Sequence, residues 1–362
     1  MKIIYRYILR NFLRYLVLCL IVLVFIYIVI NLFDNLGKFL AKNVLATDII
    51  LYYIYITPSY IVLLIPVASI MALFFIFGMM TKNKELTALK TCGLNINRLF
   101  FLIFIAGVII SSTSFAFQET IGVWAQTRMF QHKQEKIDKR PKRSSTRRRD
   151  FFYYGEGNWV YSIKAFDGTK NRIDGLVLWQ ITDDNRIRKR LDAIGGVYDS
   201  INCVWRFYNV TMREFDTLGN EIVHSHSNLE MPELREKPED FLKRIKNLEE
   251  MTFLEIYRFV KKRARAGENV AKEGVELNYR FASPIITIIV LLITLPLSVV
   301  LKRGGIAIGL GISIVIAFIY WGAIQSCRAY GVAGLMDPAL AAWLPNILFG
   351  IIGVVLILRV PR

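Results

Sequence analysis

Tyr15-Leu-Val-Leu-Cys-Leu-Ile-Val-Leu-Val-Phe-Ile-Tyr-Ile-Val-Ile-Asn-Leu-Phe33 runs nineteen residues without a charge. At about 1.5 Å per residue, a helix over it is roughly 28 Å long, close to the hydrocarbon thickness of a bilayer. Equally uncharged runs occupy Ile49–Met80, Leu99–Phe117, Phe281–Leu301, Ile306–Cys327 and Ala342–Leu358. A Lys or Arg at a helix centre costs about 2.5–3.5 kcal/mol on insertion, so these empty cores carry information. A chain that is 54% hydrophobic and 13% aromatic is also too apolar for an ordinary soluble protein of this length. The runs therefore read as six membrane helices. Val44-Leu45-Ala46 resembles a signal-cleavage site, but the preceding apolar run exceeds the ~7–15 residues of a signal core, so the first helix reads as uncleaved.

Orientation follows from the short loops. Lys2, Arg6, Arg10 and Arg14 precede the first run, Lys82, Lys84, Lys90 and Arg98 follow the second, Lys302 and Arg303 follow the fourth, and Arg359 and Arg362 end the sequence. The opposite loops offer Lys38, Lys42 and Arg328. The positive-inside rule then puts both termini in the cytoplasm and the long segment between the third and fourth helices outside, in a periplasm-like space.

The net charge of +17 suggests nucleic acid at first sight. Much of it lies in Lys133, Lys136, Lys139, Arg140, Lys142, Arg143, Arg147, Arg148 and Arg149, which topology places on the wrong side for DNA. This run reads as a solvated basic loop, with anionic lipid phosphate as the sharper reading. Cys19, Cys92, Cys203 and Cys327 are scattered across compartments and have no metal-ligand spacing. His224 and His226 share a strand face but lack a third ligand nearby, so no metal site is expected.

The outer segment begins near Asp150 with strand-like text. Phe151–Tyr154, Asn158–Lys164, Leu176–Trp179, Arg188–Ala193, Gly196–Tyr198, Val204–Val210 and Ile222–Val223 are short runs punctuated by Gly155-Glu-Gly157, Asp167-Gly168 and Leu218-Gly-Asn220. Such spacing argues for a β-sandwich or an open, jelly-roll-like barrel. Thr252-Phe-Leu-Glu255 matches a capping box opening an amphipathic return helix that Gly267 ends. The fold class is thus an α+β membrane protein with helices 3+3 and an inserted β-jellyroll-like domain. Residues 1–120 hold the first three helices, 121–268 the outer module and 269–362 the last three helices. Pro58 and Pro66 should break the second helix into pieces, with a kink or a split near its outer end. Gly305, Gly309 and Ser313 form a small-residue face suited to close helix packing or a lateral gate.

Thr81–Arg98 is a polar hinge between two apolar runs. Asn83 suits an N-cap, Glu85 the first turn and Gly93 the C′ position, which predicts a helix over Lys84–Cys92 with Leu86 and Leu89 on one face. So short a helix needs a membrane surface or a partner. The sequence has no Gly-x-x-x-x-Gly-Lys-Ser/Thr, no ionisable pathway inside the spans and no nucleophile-base or paired-carboxylate constellation. No catalytic residue is assigned, and energised work would have to enter through this hinge.

Several segments, in order, resemble the LptF/LptG family of lipopolysaccharide export permeases. These are Glu85-Leu-Thr-Ala-Leu89 with Gly93-Leu94, Pro58 with Pro66-Val-Ala-Ser-Ile-Met-Ala-Leu73, Arg280-Phe-Ala-Ser-Pro284, and Leu295-Pro296-Leu297-Ser298. Tyr330-Gly331, Leu344-Pro345-Asn346, Trp159-Val-Tyr161 and Val204-Trp-Arg206 complete the pattern across nearly the whole chain. The resemblance implies an inner-membrane permease that pairs with a paralogous LptF/LptG-type subunit on an LptB-like ATPase dimer. ATP and Mg would bind that ATPase, with no cofactor in this chain. It also implies transfer of lipopolysaccharide to an LptC-like single-span protein and a periplasmic bridge. Glu85, Leu86, Ala88, Leu89 and Gly93 would couple to the ATPase. Asp34, Lys38 and Lys42 fall where the family has charges near lipid phosphates, whereas Asn31 stands where some family members carry Lys. The alternative from another class is a membrane receptor whose outer β domain signals through the cytoplasmic loop; the absence of a cytosolic output domain counts against it.

Overall fold

The computed structural model describes residues 2–85, 88, 91, 96–139, 147–182, 186–215, 220–242, 246–265, 268–300 and 305–359. They divide into two compact units. The first takes residues 1–138, 248–256 and 271–362, and the second takes 139–247 and 257–270.

The first unit is helical. It contains α1 (Lys2–Ala41), α2 (Ala46–Lys82), α3 (Ile96–Phe117) and α4 (Val123–His132), the last two joined by a π-helical turn at Gln118–Gly122. A second π turn, Lys133–Ile137, prolongs α4. The third span therefore continues as helix to Ile137 instead of ending near Phe117, which moves the boundary of the helical unit from residue 120 to Asp138. Six helices among the described residues are long and apolar enough to cross a membrane. α2 is apolar around its whole circumference and contributes to three clusters, as a buried helix must. Phe77 and Leu73 pack with Phe12 of α1 and Ile103 of α3. Ile70 and Phe74 meet Val290 and Tyr320, and Tyr52 and Tyr60 meet Phe39 and Met129.

α2 is one helix from Ala46 to Lys82 with Pro58 and Pro66 inside it, so the expected division into pieces does not occur. Each proline removes one backbone donor. Thr57 Oγ1 donates to the Tyr53 carbonyl at 2.6 Å and Ser69 Oγ to that of Ile65 at 2.8 Å, side chains supplementing the ladder nearby.

The second unit is a six-stranded antiparallel sheet: β1 (Arg147–Tyr154), β2 (Trp159–Asp167), β3 (Arg172–Ile181), β4 (Ile187–Asp199), β5 (Val204–Phe215) and β6 (Glu221–Met231). Neighbours in space are neighbours in sequence throughout, a meander in which the two runs Arg188–Ala193 and Gly196–Tyr198 are one strand, β4. β1 begins at Arg147, inside the basic run expected to be a loop. Arg147 Nε donates to Asp167 at 2.8 Å, and Arg148 donates to the Phe241 carbonyl while its guanidinium lies over the Phe151 ring. The other flank of that run, Lys133–Ile137, is helical.

The sheet has a crease. Asp150, Gly175 and Asn209, on alternate strands, all have positive φ (47°, 69° and 49°). They share one transverse row, Asp150–Lys164–Gly175–Ile194–Asn209–Ser227, at which every strand pair skips a partner without shifting register. Side chains alternate faces along a regular strand. Across the crease that alternation resets: Ile163 and Phe166, Ile173 and Leu176, and Phe207 and Val210 are three apart, yet all point into one core. A left-handed residue in every second strand thus lets both halves of the sheet face the same core, which α5 (Pro238–Leu242) fills with Phe241.

α6 (Phe253–Arg265) starts with the expected capping box: the Thr252 N–H donates to Glu255 Oε2 at 2.9 Å and the Glu255 N–H to Thr252 Oγ1 at 3.3 Å. α7 (Ala271–Val300), α8 (Gly305–Val332) and α9 (Pro338–Leu358) complete the helical unit. Asp337 caps α9 by accepting from the Ala339 and Leu340 N–H groups, with Pro338 at the first helical position.

Candidate functional site

The crease opens a trough of 970 Å³ to which all six strands contribute. Its lining includes the row Phe152–Ser162–Val177–Asp192–Thr211–Ser225, which points away from the core, and the crease residues Lys164, Ile194 and Asn209. Apolar positions (Phe152, Val177, Ile194) alternate with hydroxyls and single charges, so the surface can accept both hydrocarbon and hydrated polar groups. Phe152 stacks on Trp179 at 6.5 Å and is held against the sheet. Among the described residues no group of His, Cys, Asp and Glu could hold a metal. His224 and His226 stack at 6.3 Å on the exposed β6, and His226 borders the trough.

The trough rests on a buried polar knot that sequence reading misses. Glu236 is almost fully buried. It accepts from Tyr161 Oη at 2.5 Å and the Glu156 N–H at 2.5 Å, while its own carbonyl accepts from Trp205 Nε1 at 2.8 Å. Burial, then the adjacent Glu236 carboxylate, pushes the Tyr161 hydroxyl far above the usual tyrosine range. Burial first and Asp240 second push Tyr153 up to about 12. Gly155 is needed for this knot, because a Cβ there would lie 2.2 Å from Glu236 Oε1. Trp159-Val-Tyr161 and Val204-Trp-Arg206 are visible as strand text, but the acid joining them lies 75 residues from Tyr161, beyond any local pattern.

In the helical unit, Glu85, Ala88 and Thr91 are helical, and the Ala88 N–H donates to the Lys84 carbonyl at 3.0 Å. Asn83 does not cap this segment. It terminates α2 with its N–H on the Met79 carbonyl at 2.9 Å, the Lys84 N–H following onto that of Thr81 at 3.1 Å, and its side-chain amide donates to Glu85 Oε1 at 3.1 Å. Lys84 is a turn residue with φ of 59°, so the segment starts one residue later than expected. Tyr7 Oη reaches Glu85 Oε2 at 3.4 Å, a contact across 78 residues that anchors Glu85 to α1. Leu86, Leu89 and Gly93 lie outside the described residues.

Asp34 and Lys38 are exposed near the end of α1, where Lys38 Nζ donates to Asn35 at 3.2 Å. Lys42 is paired with Asp138. Asn31 is engaged by Tyr53 Oη at 3.1 Å. Gly309 packs on Phe74, whose ring and Cβ lie 2.9 Å from where a glycine Cβ would be, and Ser313 is fully buried with Oγ on the Gly309 carbonyl. Gly305 is the first residue of α8. Gly309 thus sits against α2 within the chain.

Among the described residues, six membrane-capable helices with an antiparallel sheet inserted in sequence between the third and fourth define a multi-pass α+β membrane protein. The family model for the lipopolysaccharide export system permease LptF/LptG matches residues 6–359, and the chain belongs to that family. Comparison with curated proteins returns no match. Membership makes it an inner-membrane permease for lipopolysaccharide export.

Proposed function

We propose that this chain is one permease subunit of an ATP-driven exporter that takes lipopolysaccharide from the inner membrane and passes it along the trough of its β sheet toward a periplasmic bridge. The observation that carries this reading is the trough itself: an open, mixed apolar and hydroxylated path crossing all six strands. An amphiphile with several acyl chains and a sugar head needs both kinds of contact along its route. Energy enters from a separate cytosolic ATPase dimer, with ATP and Mg, docked around Glu85. Tyr7 and Asn83 hold that carboxylate in place between the ends of α1 and α2. Both termini and the Glu85 segment are cytoplasmic in this reading, as the Lys and Arg distribution of the short loops requires. A paralogous permease and a single-span LptC-like protein complete the assembly. Asp34, Lys38 and Lys42 lie near lipid phosphates, with Lys38 the strongest contact, since Lys42 already has a carboxylate partner.

Ile194→Asp, in the trough, is expected to lower lipopolysaccharide export while the ATPase still co-purifies. Glu85→Arg is expected to release the ATPase. Normal export in both variants contradicts the proposal.

A further inference from the structure

A second cavity, of 210 Å³, lies wholly within the helical unit between α2, the π turn after α3, α7 and α8. Along α2 its lining runs from Ser59 to Ile70, twelve residues whose ends are about 16 Å apart along the helix. The cleft is graded in polarity. Ser59, Gln126, Glu249 and Arg280 sit at one end, where the chain leaves the spans, and Ile70 and Val290 sit deep among the helices. Leu63 and Trp321, both largely exposed, flank it, so the cleft opens sideways to the surroundings of the helices.

The polar end has unmet hydrogen-bonding demands of both signs. Arg280 is 5% exposed; Nη1 meets Glu119 at 3.1 Å, and Nη2 donates to the Leu248 and Met251 carbonyls. Its Nε is buried without a partner. Gln126 donates through Nε2 to Ser59 at 2.9 Å, but its Oε1 is buried without a donor. Buried polar atoms of this kind are few in folded proteins and call for an explanation. The charges add a third demand. Arg280 is matched by Glu119 and Arg328 by Glu276, which leaves Glu249 as a carboxylate with no ion pair among the described residues. Glu249 is exposed at the mouth of the cleft, yet surrounding protein, and after it Glu276, raises its pKa, with Arg280 and Arg328 pulling it back. The end of the cleft thus lacks one acceptor, at Arg280 Nε, and one cation with hydrogen-bond donors, at Glu249 and Gln126.

We propose that this cleft is a binding site for a resident phospholipid with an ethanolamine-type zwitterionic head. The lipid phosphate accepts from Arg280 Nε, the ammonium donates to Glu249 and Gln126 Oε1, and one acyl chain lies along α2 toward Ile70. A head with only negative charge satisfies Arg280 and leaves Glu249 repelled. The site is independent of what the sheet carries, because none of its residues belongs to the trough.

The test is native mass spectrometry of the intact permease complex released from nanodiscs containing equal palmitoyl-oleoyl phosphatidylethanolamine and phosphatidylglycerol. Phosphatidylethanolamine should be retained about tenfold over phosphatidylglycerol, a difference of about 1.4 kcal/mol. Val67→Trp, which fills the cleft, should abolish retention. Glu249→Lys, at the accessible mouth where folding is not at stake, should reverse the preference. Equal retention of the two lipids, retention of neither (a cleft holding water alone), retention of lipopolysaccharide in their place, or an unchanged preference in Glu249→Lys would each overturn the proposal.

Discussion

Phe25, Phe318 and Leu358 of the helical unit are 65%, 72% and 78% exposed, whereas Tyr161, Trp205 and Phe207 of the sheet unit are completely buried. The contrast reflects two solvents. Against lipid an exposed phenylalanine costs nothing, so apolar burial gives the helices little guidance about which neighbour to choose. Specific polar contacts make that choice instead. Asn346 Nδ2 donates to the Ala282 carbonyl at 2.8 Å and its Oδ1 accepts from Tyr320 Oη at 2.7 Å, while Ser111 reaches the Pro284 carbonyl. Against water the sheet must close an aromatic core, and burying apolar area at about 25 cal/mol per Å² does most of the stabilising. A deeply buried carboxylate, Glu236, then fixes how the β1–β2 turn, β2 and β5 are held.

The contrast breaks most visibly at Arg280, a buried cation inside the helical unit. Arg280→Met should leave Glu119 facing a vacated charge and destabilise the helical unit by about 3–5 kcal/mol. Arg280→Lys should recover little, since one ammonium cannot reach a carboxylate and two carbonyls from a planar fork. Thermal unfolding of the purified protein in detergent measures both; a midpoint shift of under a degree or two in Arg280→Met removes the argument. Next in size is Glu236→Ala, which strips the acceptor from Tyr161 Oη and from the Glu156 N–H and should cost about 2–4 kcal/mol. Glu236→Gln should recover part of that. If instead the alanine variant melts like the parent, the knot is ornamental.

The spans are legible in the sequence because membrane crossing demands a long uninterrupted apolar run, a signal that survives without knowing the partners. The capping box at Thr252 is legible because its two residues are three apart. The crease is not, because resetting the alternation at Lys164, Gly175 and Asn209 makes regular strands look like separate short runs; Gly196–Tyr198 separates from the rest of β4 for that reason. A signal does exist: Asp, Gly and Asn, the types that tolerate positive φ, recur at Asp150, Gly175 and Asn209, one in each odd-numbered strand. The roles of Arg280 and Glu236 depend on partners 161 and 75 residues away and lie beyond local reading. The end of α1 shows the same limit, since nothing near Lys42 in the sequence points to its partner Asp138.

A smaller effect sharpens the contrast from the sheet side. Asn209→Val places a β-branched residue at a φ of 49° and should cost about 1–2 kcal/mol, whereas Asn209→Gly should be close to neutral. Equal melting of the two variants would mean that the crease needs no left-handed residue there. A further effect, absent near neutrality, concerns alkaline pH. An unfolded tyrosine loses its proton near pH 10, while Tyr153 holds its own to about 12 in the fold and Tyr161 to higher still. The unfolded state therefore releases protons first. The stabilisation is complete below about pH 10 and is lost as pH rises through the folded values. Urea midpoints should be flat in this respect near neutrality and fall above pH 10, with a shallower fall in Tyr153→Phe.

The central claim is that the exported lipid travels along the creased sheet. A photo-crosslinking residue placed at Val177, in the floor of the trough, reads this directly in membrane vesicles carrying the intact complex. The account predicts a lipopolysaccharide adduct that appears on addition of ATP and is absent when the same probe is placed at Ile201, an exposed loop residue outside the trough. No adduct at Val177 while export proceeds, or equal adducts at the two positions, would contradict it.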